Sequence, residues 1–130
     1  MPFTLYATTA AVFLILDAIM LTLVMKPLFT RHIGPLLAEP IRMAPAALFY
    51  LAYVAGLVTL VSLPAIKTGA PLVVPALIIG LMAYGTYEFT SWSVMKDWHW
   101  TMVVTDVTWG GVLTAVSAWA GVTLTRAIHG

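Results

Sequence analysis

Tyr84-Gly85-Thr86-Tyr87-Glu88-Phe89-Thr90-Ser91-Trp92 sets an acid inside a run that is otherwise apolar enough to cross a membrane. Thr105-Asp106-Val107-Thr108-Trp109-Gly110-Gly111 echoes the arrangement. A carboxylate at the centre of a bilayer costs several kcal/mol, about 2.5–3.5 on insertion scales. A helix facing lipid on all sides has nothing to offset that cost. The two stretches therefore predict a polar site shared between helices inside a bundle, and with it an all-α, polytopic membrane fold.

Composition agrees. Of 130 residues, 62% are hydrophobic and only 8% charged, against about 25% charged in a soluble domain. So few charges cannot cover a water-facing surface, and the lipid bilayer is the expected solvent. A formal net charge of +1 gives no electrostatic footing for nucleic acid. With no cysteine, disulfides, thiolate catalysis and Cys-ligated metal centres are excluded. No Rossmann fingerprint, P-loop or His-Glu-x-x-His motif is present. The sequence names no catalytic residue and no cofactor. His32 and His99 fall in connectors and His129 in the tail, so none is read as a metal ligand.

Outward from the opening stretch, four spans of about 20 apolar residues are legible, at roughly 3–25, 44–65, 71–92 and 101–125. Phe3–Met25 lacks a preceding basic residue and exceeds the length of a signal h-region, so it reads as a retained helix. Lys26-Pro27 is expected to stop it and Pro64 to end the second span, because proline removes a donor and crowds the preceding turn. Leu28–Met43 carries Arg31, His32, Glu39, Arg42 and the breakers Gly34, Pro35 and Pro40. It reads as a segment lying on the membrane surface. Pro75 is a candidate kink in the third span. Trp92, Trp98 and Trp100 fit an aromatic belt. Ala52/Gly56, Ala76/Gly80 and Ser117/Gly121 are candidate close contacts between helices. The whole chain, residues 1–130, reads as a single transmembrane domain, an antiparallel four-helix bundle. Lys26, Arg31, Arg42 and Lys96 lie on one side, Lys67 and Arg126 on the other. That asymmetry favours both long connectors in the cytoplasm and both termini outside.

Antiparallel topology makes depth readable. Asp17, Tyr50, Tyr53, Tyr84, Tyr87, Glu88, Asp106 and Trp109 all fall toward the first-connector side of their spans. Tyr84, Tyr87, Glu88 and Ser91 share one helix face, as do Asp106, Trp109 and Gly110, and as do Thr9, Phe13 and Asp17. These faces predict one aromatic and acidic pocket. Close carboxyls cannot all ionise in a low dielectric. Such a cluster can carry protons, bind a cation or act as a general acid or base.

Leu16-Asp17-Ala18, Ala47–Tyr53, Ala83-Tyr-Gly-Thr-Tyr-Glu-Phe-Thr90 and Asp106-Val-Thr-Trp-Gly110 together resemble a bacterial membrane-protein family, the domain-of-unknown-function family numbered 2177. Glu88 and Trp92 stand where the family pattern carries aspartate and asparagine. The resemblance implies a multi-pass protein of the bacterial inner membrane and supplies no activity. Three functions stay open. The first is a non-enzymatic protein that binds or transports a small amphipathic or cationic molecule, with or without proton coupling. The second is a small membrane enzyme acting on lipid or isoprenoid groups. The third is an accessory subunit of a larger membrane complex. A homodimer is expected if transport occurs, because so short a chain encloses little volume.

Overall fold

The computed structural model describes residues 2–36 and 43–129. Among these, four helices are long and apolar enough to cross a membrane: Pro2–Ile33, Ala44–Thr68, Val73–Val94 and Trp100–His129. They are the first to fourth helices below. No strand accompanies them among the described residues. The chain is a helical membrane bundle. Large apolar side chains point outward along it, with Leu48 72% and Leu60 71% exposed. Such a surface is tolerable only against acyl chains.

Two expected helix ends are not ends. The first helix runs through Lys26-Pro27 to Ile33, and the second through Leu63-Pro64 to Thr68. The reason is the same in both. A five-residue π turn, Leu21–Met25 or Val58–Ser62, sits immediately before the Xaa-Pro pair. The Lys26 N–H bonds back to the Leu21 carbonyl and the Leu63 N–H to that of Val58, one residue further than in an α-helix. The wider turn moves the carbonyl that the proline ring would strike, and proline then opens a new helical segment, where its missing N–H costs little. A helix of 32 residues is about 48 Å long, against about 30 Å of hydrocarbon. The end bearing Lys26, Arg31 and His32 therefore extends past the acyl region.

The N-terminal part of the expected surface segment Leu28–Met43 is thereby revised. Leu28–Ile33 belongs to the first helix, and Gly34–Leu36 closes it with a 3₁₀ turn. Glu39, Pro40 and Arg42 lie outside the described residues. Pro75 does not kink the third helix; it sits in the first turn, where its N–H would have had no helical acceptor. The second helix closes on Gly69, at φ 72, in the left-handed region that favours glycine.

The third and fourth helices form the most intimate pair, and the first packs on the fourth. Glycine permits both contacts. A Cβ on Gly80 would strike the Gly110 carbonyl, lie 2.8 Å from the Gly111 Cα and 2.8 Å from the Thr114 hydroxyl. A Cβ on Gly121 would strike the Thr9 hydroxyl. The Ala76/Gly80 and Ser117/Gly121 pairs thus sit at helix contacts. Ala52/Gly56 does not: Ala52 is exposed, and nothing lies within 4 Å of a Cβ placed on Gly56. Leu5, Phe13, Val54, Val58, Leu113 and Val122 fill the centre where the first, second and fourth helices meet. The second helix meets Ala76 of the third helix and the fourth helix through Leu57 and Val61, toward the 69–72 turn. At the opposite end a cleft opens, lined by residues of all four helices.

Candidate functional site

The first helix places one residue per turn along a single stripe. Leu5, Thr9, Phe13 and Asp17 are buried, and Leu21, Met25 and Phe29 continue the stripe along the cleft wall. Four-residue spacing keeps these side chains on one face. The fourth helix presents Asp106 and Gly110 in its first turns. The third presents Ala83, Tyr84 and Tyr87, and the second Ala46, Phe49 and Tyr50. Together they enclose a cleft of about 350 Å³. Among the described residues, two acids, three tyrosines and otherwise apolar side chains line it, with no lysine, arginine or histidine.

All three intramembrane acids are buried: Asp17 is 5%, Asp106 8% and Glu88 0% exposed. Each is held by a different neighbour. The Trp109 indole N–H donates to Asp17 Oδ1 at 3.2 Å, and Tyr50 lines the same part of the cleft. The Trp98 indole N–H donates to Glu88 Oε1 at 3.0 Å. Glu88 Oε2 has no N–H or hydroxyl donor among the described residues. The Asp106 carboxyl is the group close enough to pair with Glu88. A carboxyl–carboxyl hydrogen bond needs one proton between the two acids, and two bare carboxylates would repel. Asp17 is near enough for its charge to act on Asp106. Among the described residues no three His, Asp or Glu side chains converge as a metal ligand set.

Aromatic packing fixes the rest. The Tyr84 ring lies on Gly110, where a Cβ would strike it, and meets the Tyr53 ring edge-on at 6.4 Å. Its buried hydroxyl has no protein partner among the described residues. Tyr87 stands edge-on to Trp98 at 5.8 Å between centroids. His32 and His99 stack at 4.2 Å, and the Thr101 hydroxyl lies within 3.4 Å of His32 Nε2. They pin the end of the first helix to the start of the fourth.

Of the eight residues singled out in the sequence, Asp17, Tyr50, Tyr84, Tyr87 and Asp106 line the cleft. Glu88 and Trp109 stand behind it as hydrogen-bond partners. Tyr53 does not reach it; its ring packs on Phe13 at 5.6 Å and its hydroxyl pairs with that of Thr114 at 2.9 Å. One contributor went unread. Trp98, assigned to an aromatic belt, is 6% exposed and holds Glu88, whereas Trp92 and Trp100 do face outward. The available signal was its position ten residues after Glu88, across a connector short enough to fold the indole back. The π turn Leu21–Met25 also borders the cleft through Leu21 and Met25, a placement common for such turns at functional sites.

No curated protein and no solved structure matches the chain. Residues 3–123 match the model of one family, described as a predicted membrane protein, DUF2177. That match spans all four helices and nearly the whole sequence, and the chain belongs to this family of membrane proteins of unknown function.

Proposed function

We propose that this protein binds a small amphipathic cation in the cleft lined by its four helices and exchanges it for a proton held by the acids. The observation that carries the reading is the meeting of Glu88 with Asp106, beside Asp17, in a lipid-embedded bundle where, among the described residues, no basic side chain lines the cleft. A cation entering there meets negative charge and aromatic faces at once, and both attract it in a low dielectric. The volume is at the lower end of the roughly 300–1,000 Å³ typical of small-molecule sites. Phe49 and Tyr87 are cleft residues that are also exposed toward lipid, which favours entry from the bilayer. That lateral opening also suits the second reading, an enzyme acting on a lipid or isoprenoid group, with the Glu88–Asp106 pair as proton donor.

On this proposal the protein is a single transmembrane domain in the bacterial inner membrane, with both termini outside and a second copy or a larger complex beside it if transport occurs. The test is equilibrium binding of labelled tetraphenylphosphonium to the purified protein. Wild type should bind, and Glu88→Gln and Asp106→Asn should each weaken binding about tenfold or more, the scale expected when a partner charge is lost from a buried site. Equal binding by all three proteins contradicts the reading.

A further inference from the structure

A serine or threonine in a helix ordinarily satisfies its hydroxyl on the carbonyl one turn back. Four outward-facing ones do so here: Thr59 to Ala55 at 2.8 Å, Thr68 to Pro64 at 2.8 Å, Thr86 to Met82 at 2.7 Å and Ser93 to Phe89 at 2.8 Å. Thr9, Ser62 and Ser117 behave differently. All three are fully buried, and none of their hydroxyls has a protein partner among the described residues. Such a group in an apolar core costs free energy comparable to a lost hydrogen bond. These hydroxyls are turned away from their own backbone and into the bundle.

They also fall in order. Asp106, Gly110, Thr114, Ser117, Gly121 and Thr125 recur at steps of three and four along the fourth helix, and all are buried. Neighbouring helices add polar groups along this line. Tyr84 lies against Gly110, Tyr53 pairs with Thr114 at 2.9 Å, and Thr9 abuts Gly121. Ser62 sits in the second π turn, which packs on both the first and fourth helices. The Thr8 and Thr125 hydroxyls are 3.2 Å apart, and one turn further Thr4 meets His129 at 2.9 Å on the exposed end of the bundle. Asp106 begins the line at the acid cluster, and His129 ends it at the opposite face.

We propose that this line is a proton path, bridged by water between hydroxyls, that connects the Glu88–Asp106 pair to the face bearing Thr4 and His129. Each oxygen accepts a proton on a lone pair and passes its own to the next, so one proton moves and no group is altered. Water suits the gaps because the turned-in hydroxyls supply the polar partners a buried water needs. The cleft gives the acids access to one side; the path gives them access to the other. The inference rests on the acids being the proton-carrying site proposed above.

The experiment uses the full chain in vesicles of phosphatidylcholine and phosphatidylglycerol with an internal pH dye. A potassium diffusion potential drives protons, and tetraphenylphosphonium binding is measured on the same preparations. Wild-type vesicles should acidify faster than protein-free ones. Ser117→Ala and Ser62→Ala should each lower the flux about tenfold while cation affinity changes less than about twofold, because neither residue borders the cleft. Thr59→Val, outward-facing, should conduct as wild type. The two alanine variants should melt no lower than wild type, since each deletes an unpartnered polar atom. Wild-type flux no greater than that of protein-free vesicles, or full flux in both alanine variants, overturns the path and leaves the binding site standing. Flux that depends on Ser117 in a protein that binds no tetraphenylphosphonium upholds the path and removes the ligand reading.

Discussion

At the scale of single residues, Glu88 shows what intramembrane charge demands. Among the described residues its carboxyl has one N–H donor, from Trp98, and one carboxyl neighbour, Asp106. Trp98→Phe keeps the ring and removes the donor, leaving a buried oxygen unpaired. The expected loss is about 1–3 kcal/mol, read as a lower melting midpoint in detergent. Adding Glu88→Leu to that variant should recover most of the loss, because the orphaned acceptor is then gone. A double variant no more stable than Trp98→Phe alone would mean the indole acts by packing. The acids themselves were legible in the sequence, since a carboxylate in an apolar run must find polar company inside the bundle. Trp98 was not, because its distance from Glu88 depends on how the 95–99 connector folds, and tryptophan near a span end more often anchors at the interface.

At the scale of elements, two of the three glycine pairs act as expected and Pro27 and Pro64 do not. Gly80 and Gly121 set helix contacts, while Gly56 faces open space. Gly80→Ala and Gly121→Ala should each destabilise the bundle by about 1–3 kcal/mol as the added methyl forces backbones apart. Gly56→Ala should be neutral or slightly stabilising, as alanine is the better helix former. Thermal unfolding of the three variants in one detergent separates these outcomes. Small residues four apart were visible in the sequence, but which face each pair would occupy was not. The two π turns were equally hidden. Lys26-Pro27 and Leu63-Pro64 carry the local signature of helix ends, and only a widened turn one step earlier lets each helix continue. That choice is made by packing along the whole helix rather than by the dipeptide.

At the scale of the whole molecule, topology gathers what the chain spreads apart. Asp17 and Trp109 meet across 92 positions of sequence, because four antiparallel helices return to the same depth. Span number and direction were therefore enough to anticipate convergence, whereas Tyr53 shows the limit: its depth was right but its azimuth turns it into the core. The proposed exchange sets the sign of its pH dependence. A cation that displaces a shared proton binds more tightly as pH rises and the acids lose that proton, and more weakly as pH falls. The affinity of tetraphenylphosphonium should follow that direction in wild type and flatten in Asp106→Asn.

The most direct measurement is the number of protons released when tetraphenylphosphonium binds, obtained by calorimetry of the full-length protein in two buffers of different ionisation heat. Release of about one proton per cation is expected in wild type and none in Glu88→Gln. Binding without proton release, unchanged by Glu88→Gln, would contradict the proposed exchange.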